Sequence, residues 1–434
     1  MSSDFFRKRR EKLANSMENN SICVIESATE KLRSNDVPYP YRQDSNFFYL
    51  TNFDSPNAVL VIYRSQKGKY DEFFFTKRPN SHDETWTGKV PSKEQVKSRF
   101  NFKHCVYLDE IPAYLEKYLI KCESIYHSLE DSSNLKILVK TISSQIKKKY
   151  RKGITPPSST ICLHSKINKL RLIKDSLEIR QIKTSANISS MAHNALMQKC
   201  QASLTEKQLQ YFLIDFFNQH NAVEAYPSIV ASGENSCILH YTKNSSALKS
   251  GQLLLTDAAC EKDNYTSDIT RTIPINGKFT EPQKKIYNIV LKAQMKAIEK
   301  CKANNTLVDV HNEAVKWISK GLLSLGLLKG PLTKIIKNGL YQQFYMHGTG
   351  HWLGLDVHDP LDYQEDDSPI KLRPGMIFTV EPGIYIRPSK QIPKSFHNIG
   401  IRIEDDVLIT KKGCAVLTHK TPKSVAEIEN MMKS

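Results

Sequence analysis

The pattern of hydrophobic and polar positions changes character near residue 170. Before that point, short apolar, β-branched and aromatic runs alternate with segments of helical periodicity. The pattern predicts helices over 4–18, 108–121 and 136–150, and strands over 21–26, 47–51, 58–63, 72–76 and 160–163. Alternating strands and helices are typical of an α/β domain. We therefore predict an N-terminal α/β domain over residues 1–170.

Longer helical patterns and apolar strands characterise residues 171–434. A helix is predicted over 176–200, and capping boxes at Thr205 and Thr280 predict the starts of two more helices. Apolar runs predict strands over 228–232, 252–257, 268–275, 376–386 and 400–410. Helix pairs followed by strands occur twice, which predicts an α+β domain of two similar halves around a central sheet.

Composition limits the class of protein. The 434 residues are 40% hydrophobic and 25% charged, which is typical of a soluble globular protein with more than one domain. No apolar run reaches the length of a bilayer span, and the charged N-terminus lacks the apolar core of a secretory signal. The nine cysteines are scattered without a C-x-x-C pair, which favours reduced thiols and a cytoplasmic location.

The net charge of +17 raises the question of a nucleic-acid partner. Basic residues cluster only at 7–10 and 147–152, without interleaved aromatic residues or a known reader motif. The remaining lysines are spread evenly, as on a solvated surface. Nucleic acid is therefore the weaker alternative.

Two aspartates lie at the ends of neighbouring apolar strands. Asp257 closes L-L-L-T-D and Asp268 opens D-I-T-R-T-I. A hairpin turning at Lys262-Asp263 would place the two carboxylates directly opposite each other, with Cβ atoms about 5 Å apart. Ionised carboxylates at that distance repel each other unless one is protonated or a cation lies between them.

Two glutamates occupy equally apolar surroundings. Glu381 interrupts I-F-T-V-E-P-G-I-Y-I, and Glu404 lies in G-I-R-I-E-D-D-V-L-I, where Arg402 shares its face by strand alternation. Buried acids are costly unless they are paired or bind a metal. An ion pair with Arg402 is a structural alternative for one acid, but it does not account for four.

The histidine-rich segment 345–360 completes the candidate site. It contains His347, His351 and His358 among three glycines, and we predict an irregular loop leading into a strand over 353–358. Four carboxylates with one of these histidines would balance two divalent cations. Such ligands favour manganese, cobalt, iron or zinc over copper. The residues thus predict metal-assisted hydrolysis.

Several ordered motifs resemble the proline-specific metallopeptidases of pita-bread fold, and most of all the bacterial-type aminopeptidases P. These enzymes remove an N-terminal residue that precedes proline. The likeness covers nearly the whole chain. It includes N-F-F-Y-L-T-N-F-D-S-P-N-A-V-L-V-I (46–62), G-E-N-S-C-I-L-H-Y-T (233–242), D-A-A-C-E (257–261), S-D-I-T-R-T (267–272), H-G-T-G-H-W-L-G-L-D-V-H-D (347–359), E-P-G-I-Y-I (381–386) and G-I-R-I-E-D-D-V (400–407).

The resemblance implies two divalent metal ions, usually Mn²⁺, with Co²⁺ or Zn²⁺ as alternatives. Asp268 and Glu404 would bridge both ions, Asp257 would complete one site, and His351 with Glu381 would complete the other. A bridging hydroxide would attack the carbonyl before proline, with Glu381 as the proton acceptor.

The resemblance also implies roles around the metal ions. His358 would bind the scissile carbonyl or its oxyanion, His240 would stabilise the tetrahedral intermediate, and His347 would line the proline pocket. Arg402 and Tyr385 would orient ligands or bind substrate beyond proline.

The resemblance carries a further expectation for the first domain. Trp86 in E-T-W-T-G-K would contribute to the substrate pocket, and core packing is its alternative. Family members form dimers or tetramers, so we expect a homo-oligomer with contacts from residues 1–170.

Two other functions stay open. A prolidase, which cleaves free Xaa-Pro dipeptides, would use the same ligands. A metal-free pita-bread protein would instead bind peptides, histones or nucleic acid, but such proteins lose the ligands, and all five stand in this chain.

Overall fold

The computed structural model describes residues 3–129 and 133–433. The chain divides into two compact units, residues 1–171 and 172–434. In the described residues, no helix combines the length and the apolar character needed to cross a bilayer. The nine cysteines are all free thiols, and none takes part in a disulfide there.

The first unit contains one mixed sheet of six strands in the order β6-β5-β4-β1-β7-β8. The pairs β1–β7, β7–β8 and β5–β6 are parallel, and β1–β4 and β4–β5 are antiparallel. The helices and strands are α1 (Ser3–Ser16), β1 (Ser21–Glu26), β2 (Leu32–Ser34), β3 (Val37–Pro38), α2 (Ser45–Thr51), β4 (Ala58–Arg64), β5 (Tyr70–Thr76), α3 (Ser81–Thr87), α4 (Lys93–Phe100), β6 (His104–Tyr107), α5 (Ile111–Leu119), β7 (Ser124–His127), α6 (Asn134–Lys147), β8 (Ser159–Cys162) and α7 (Leu163–Arg171).

The strand predicted over 47–51 is wrong, because these residues form helix α2. The Asp44 carboxylate caps the helix by accepting a hydrogen bond from Phe47 N, and Asn52 ends it in the left-handed conformation. All seven residues of the helix are buried, so the short segment shows no amphipathic period. Caps rather than periodicity therefore determine this element.

The second unit begins with long helices and continues with short strands. Its elements are α8 (Ser176–Lys199), α9 (Glu206–Gln219), β9 (Val223–Glu224), β10 (Ile229–Ser232), β11 (Leu253–Asp257), β12 (Cys260–Lys262), β13 (Tyr265–Thr266), β14 (Thr270–Pro274), α10 (Glu281–Ile298), α11 (Leu307–Ser324), α12 (Leu332–Lys337), β15 (Gln364–Glu365), β16 (Ser368–Pro369), β17 (Ile377–Val380), β18 (Gly383–Ile386), β19 (Ile399–Arg402), β20 (Asp405–Thr410), β21 (Gly413–Val416) and α13 (Val425–Met431).

The strands of this unit form several short sheets instead of one central sheet. The larger groups are β10-β11-β14, β13-β12-β9 and β17-β20-β21, and β18 pairs with β19. Helices α8 to α11 pack over the strands in a common hydrophobic core. The two long strands predicted over 376–386 and 400–410 are each broken, at 381–382 and at 403–404. Both breaks therefore fall at a predicted metal ligand.

Candidate metal centre and active site

The hairpin carrying the two aspartates turns one residue later than predicted. Asp257 pairs with Thr270, not with Asp268, and the turn lies at Asp263 and Asn264, which have φ values of 51° and 66°. The predicted direct opposition is therefore wrong. Asp268 lies two residues before Thr270, so it stays on the same face of the hairpin as Asp257. Diagonal neighbours of this kind are still close enough for their side chains to share a ligand.

Tyr226 joins the two aspartates. Its hydroxyl oxygen lies 2.6 Å from Asp257 Oδ1 and 2.5 Å from Asp268 Oδ1. The sequence analysis missed this residue, because a lone tyrosine in E-A-Y-P-S carries no spacing signal. Its hydroxyl supplies one proton to two acceptors, so it cannot satisfy both carboxylates by itself.

His351 approaches the aspartates from a neighbouring segment. Residues 349–353 run antiparallel beside β17, since Thr379 N donates to His351 O and Glu381 N donates to Thr349 O. The His351 Nε2 atom lies 3.4 Å from Asp268 Oδ2 and 3.6 Å from Glu381 Oε1. The same ring nitrogen therefore faces carboxylates from two separate segments of the chain.

Glu404 reaches the cluster from the break between β19 and β20. Its Oε2 atom accepts a hydrogen bond of 2.6 Å from Thr270 Oγ1. One ligand atom each from Asp268, His351 and Glu404 lie within 4.8 Å of one another. With Asp257 joined through Tyr226 and Glu381 through His351, the structure brings all five predicted ligands together.

The strand predicted over 353–358 is absent from this part of the chain, which forms bends instead. Asp359 N donates to Trp352 O, and Gly354 N donates to Asp356 O, so the backbone folds back on itself. A Cβ atom on Gly354 would lie 2.5 Å from Asp359 Oδ2. The loop is thus compact, and only glycine fits at that position. His358 follows this bend, and its ring centroid lies 4.2 Å from that of His351.

A chain of hydrogen bonds leads from the cluster to His347. Arg402 donates from Nη2 to Asp257 Oδ2 over 2.6 Å and from Nη1 to Tyr385 OH over 3.0 Å. The Tyr385 hydroxyl lies 2.9 Å from His347 Nε2, while His347 Nδ1 lies 2.7 Å from Gly348 O. Since Gly348 O can only accept, Nδ1 carries the proton and Nε2 accepts from Tyr385. His347 is therefore a neutral imidazole with a defined orientation.

The charges of the cluster do not balance among the side chains alone. Burial, and then the charges of Asp268 and Glu381, raise the pKa of Glu404 well above its usual range. Burial raises the pKa of Glu381 to about 7. Burial would lower the pKa of His351, but the hydrogen bond to Asp268 and the neighbouring carboxylates raise it to about 9. Like charges thus oppose full ionisation of this group.

The residues fit a divalent metal site. The donors are carboxylate oxygens and one imidazole nitrogen, without a thiolate, and they face one another from four segments. Cations placed among them would remove the repulsion that the pKa shifts express. Hard or borderline divalent ions suit this donor set.

The remaining predicted residues lie in two places. His240 is exposed and follows the short 3₁₀ helix Gly233–Cys237. Burial is the main cause that lowers the pKa of His347 and of His358, and an interaction with His240 adds to both shifts, so His240 lies near them. Trp86 lies in the first unit, on α3, with 78% of its surface exposed. Core packing of Trp86 is therefore excluded.

Comparisons with known proteins give the family. Residues 180–411 match the profile of metallopeptidase family M24, and residues 6–126 match the N-terminal domain of aminopeptidase P. The chain belongs to metallopeptidase family M24. The M24 match includes the hairpin, the histidine loop and both broken strands, so the cluster lies in the family's own domain.

Two relatives match this chain over nearly its whole length. The Xaa-Pro aminopeptidase of Escherichia coli is 37% identical over 98% of this chain and 97% of its own length. That of Haemophilus influenzae is 39% identical over 98% of this chain and 96% of its own length.

Solved structures agree with the sequence matches. Proline aminopeptidase P II from Yersinia pestis superposes with a TM-score of 0.96 at 37% identity, covering 100% of both chains. A variant of E. coli aminopeptidase P in complex with substrate gives the same TM-score and identity, covering 100% of this chain and 98% of its own. The predicted combination of an α/β N-terminal domain with a pita-bread catalytic domain is thereby confirmed.

Proposed function

We propose that this M24 metallopeptidase is a Xaa-Pro aminopeptidase, which releases the N-terminal residue from peptides with proline in second position. The observation that carries the proposal is the convergence of Asp257, Asp268, His351, Glu381 and Glu404 in a chain that Xaa-Pro aminopeptidases match over its full length. The substrate class follows from these relatives, and the chemistry follows from the cluster.

Two divalent cations, Mn²⁺ in the first place and Co²⁺ or Zn²⁺ as alternatives, would be held by these five residues. Asp268 and Glu404 would hold the cations together with His351, because one ligand atom from each of the three lies within 4.8 Å of the others. When bound, such a pair of ions polarises a peptide carbonyl and lowers the pKa of water.

The side chains around the cluster are proposed to handle the proton and the substrate. Glu381 receives the proton of the attacking water, since its carboxylate lies between His351 and His347, 3.6 Å from each. His358 beside His351, and His240 near it, donate to the developing oxyanion.

Proline recognition is proposed to rest on His347. The hydrogen-bond chain from Arg402 through Tyr385 fixes the orientation of its ring, so the ring can form one wall of a shaped pocket. Proline suits such a pocket because its ring fixes φ and its nitrogen carries no hydrogen. A role of Trp86 in substrate binding stays a prediction from the resemblance.

The cellular context is proposed on separate grounds. We propose a cytoplasmic location, because the cysteines in the described part of the chain are free and thiols stay reduced in the cytoplasm. A homodimer or homotetramer with contacts from the first domain agrees with the resemblance to oligomeric family members, and light scattering on the purified protein tests it.

A dipeptidase would share the whole metal cluster, so peptide length separates the two activities. Mn²⁺-loaded protein is incubated with Xaa-Pro and with Xaa-Pro-Yaa peptides, and the released first residue is quantified. We expect release of the first residue from Xaa-Pro-Yaa peptides. Cleavage of free Xaa-Pro dipeptides only would overturn the proposal. Glu381→Ala should lose activity, whereas Glu365→Ala, a matched variant of an exposed acid, should not.

A metal-free binding module is the alternative from another class. It predicts no cleavage of any peptide and no bound metal. The convergence of five ligands argues against it, because buried carboxylates that repel each other lower the stability of a protein that binds no metal.

A further inference from the structure

A cavity with a volume of about 370 Å³ lies in the second unit and is bordered by Tyr385. Three of the segments that line it lead directly into proposed site residues. Leu239 precedes His240, Met346 precedes His347, and Tyr385 belongs to the hydrogen-bond chain itself. Adjacent residues in a chain lie only 3.8 Å apart between Cα atoms. The cavity therefore adjoins His347 and is bordered by Tyr385.

The cavity has an apolar wall. Phe344, Leu239, Leu327 and Ile392 line it, together with Met346, which is 45% exposed. Methionine adapts to apolar groups of different shape. A wall of this kind suits the apolar part of a peptide side chain.

Arg387 is the charged residue in the lining of this cavity. It follows β18 two residues after Tyr385, whereas Ile384 and Ile386 point into the hydrophobic core on the other face. Its Nη2 atom donates to Cys237 O over 3.1 Å, which holds the side chain against the segment that carries His240. Within residues 3–129 and 133–433, no carboxylate forms an ion pair with it. Most of its donors are thus available to an anion.

We propose that this cavity binds the part of the substrate beyond proline, and that Arg387 binds a carboxylate there. The inference rests on the proposed function and deepens it by naming a substrate class, namely Xaa-Pro peptides with a negative charge in the leaving portion. Tyr385 lines the cavity and its hydroxyl lies 2.9 Å from His347 Nε2, so the cavity adjoins the proposed proline pocket. An arginine with free donors recognises a carboxylate through two parallel hydrogen bonds.

The carboxylate has two sources, an acidic side chain or the free C-terminus of a short peptide. Two peptide pairs distinguish them: Ala-Pro-Glu-Ala-amide against Ala-Pro-Gln-Ala-amide, and Ala-Pro-Ala acid against Ala-Pro-Ala-amide. We expect kcat/KM to favour the charged member of at least one pair by about threefold to tenfold, mainly through KM. Arg387→Gln should remove that preference, and Arg387→Lys should keep part of it.

Lys390→Gln is the matched control, because it removes an equal charge from the same exposed segment but from a residue outside the cavity lining. It should keep the preference of the wild-type protein. A wild-type protein without preference in either pair, or a preference that survives Arg387→Gln, would overturn the proposal while leaving the aminopeptidase intact.

A binding measurement tests the carboxylate site independently of the proposed peptidase activity. If no Xaa-Pro peptide is cleaved, the aminopeptidase fails, and calorimetry with Pro-Glu-Ala-amide and Pro-Gln-Ala-amide still decides on the cavity. Tighter binding of the glutamate peptide, lost in Arg387→Gln, supports the carboxylate site. Equal binding of the two peptides contradicts it.

Discussion

The guanidinium group of Arg402 donates to Asp257 Oδ2 over 2.6 Å, and both side chains are nearly inaccessible to solvent. Its other terminal nitrogen donates to Tyr385 OH over 3.0 Å, and its Nε donates to Thr270 Oγ1 over 3.0 Å. One planar group thus links a proposed metal ligand to the residues that orient His347. Arg402 therefore connects the proposed metal site to the proposed proline pocket.

Arg402→Lys tests this coupling. Lysine keeps the charge but cannot hold three separate acceptors in the plane of a guanidinium group. We expect kcat/KM on an Xaa-Pro-Yaa peptide to fall by about tenfold to a hundredfold, with metal content unchanged. Arg373→Lys, at an exposed position, should have no comparable effect. Equal activities of the two variants would show that the coupling is unimportant.

Tyr226→Phe removes the hydroxyl group that joins Asp257 and Asp268. The hydroxyl orients both carboxylates, and loss of such an orienting partner costs about 10-fold to 100-fold in metal affinity. Titration with Mn²⁺ should therefore show weaker binding at unchanged stoichiometry. Tyr211→Phe, on the exposed face of α9, serves as the control. Unaltered affinity in Tyr226→Phe would mean that the aspartates hold their positions by themselves.

Substitution by alanine should have different effects on activity at two glycines of the histidine loop. A Cβ atom on Gly350 would lie 1.9 Å from Thr379 O, in the backbone that pairs with His351, whereas one on Gly348 meets nothing closer than 4.0 Å. Gly350→Ala should displace His351 and abolish peptide cleavage, and Gly348→Ala should retain most of it. Circular dichroism establishes that both variants are folded. A fully active Gly350→Ala protein would contradict the described packing.

Metal removal should lower thermal stability, because cations bind the native cluster and not the unfolded chain. A metal present at 100 times its dissociation constant contributes about 2.7 kcal/mol. For a unit of this size, each such ion corresponds to about 5–10 °C, so removal of two ions by a chelator should lower the melting temperature by about 10–20 °C. The experiment is a thermal melt of Mn²⁺-loaded protein with and without chelator.

Glu404→Gln gives that experiment an internal check. Burial and like charges raise the pKa of Glu404, which is 2% exposed, so folding without metal requires this carboxyl to take up a proton at neutral pH. Its neutral isostere avoids that cost when metal has been removed. The variant should be more stable than the wild type in chelator and less stable in Mn²⁺. The same order of stability under both conditions would argue that metal does not hold this carboxylate.

The sequence predicted the positions of the ligands better than their geometry. Buried acids in apolar strands identified Asp257, Asp268, Glu381 and Glu404, because charge in such surroundings requires a partner. The pairing of the hairpin was misplaced by one residue at the turn. Asp263 and Asn264 both adopt positive φ, and aspartate and asparagine are the residues that tolerate it, so this pair was the available signal.

Other features depend on contacts that the local sequence does not contain. The bends at 353–358 follow from the fit of Gly354 against Asp359 and from the hydrogen bond between Asp359 N and Trp352 O. Tyr226 reaches Asp268 across 42 residues of sequence. Periodicity does not reveal such long-range pairings, whereas the pattern predicted helix α8, and capping boxes predicted the starts of α9 and α10.

The number of metal ions bound per chain tests the central claim most directly. Purified protein is equilibrated with Mn²⁺, freed of unbound metal and analysed by mass spectrometry for metal content, beside His351→Ala. The account predicts two ions per wild-type chain and a clear reduction in the variant. A wild-type content near zero, or an unchanged content in His351→Ala, would contradict it.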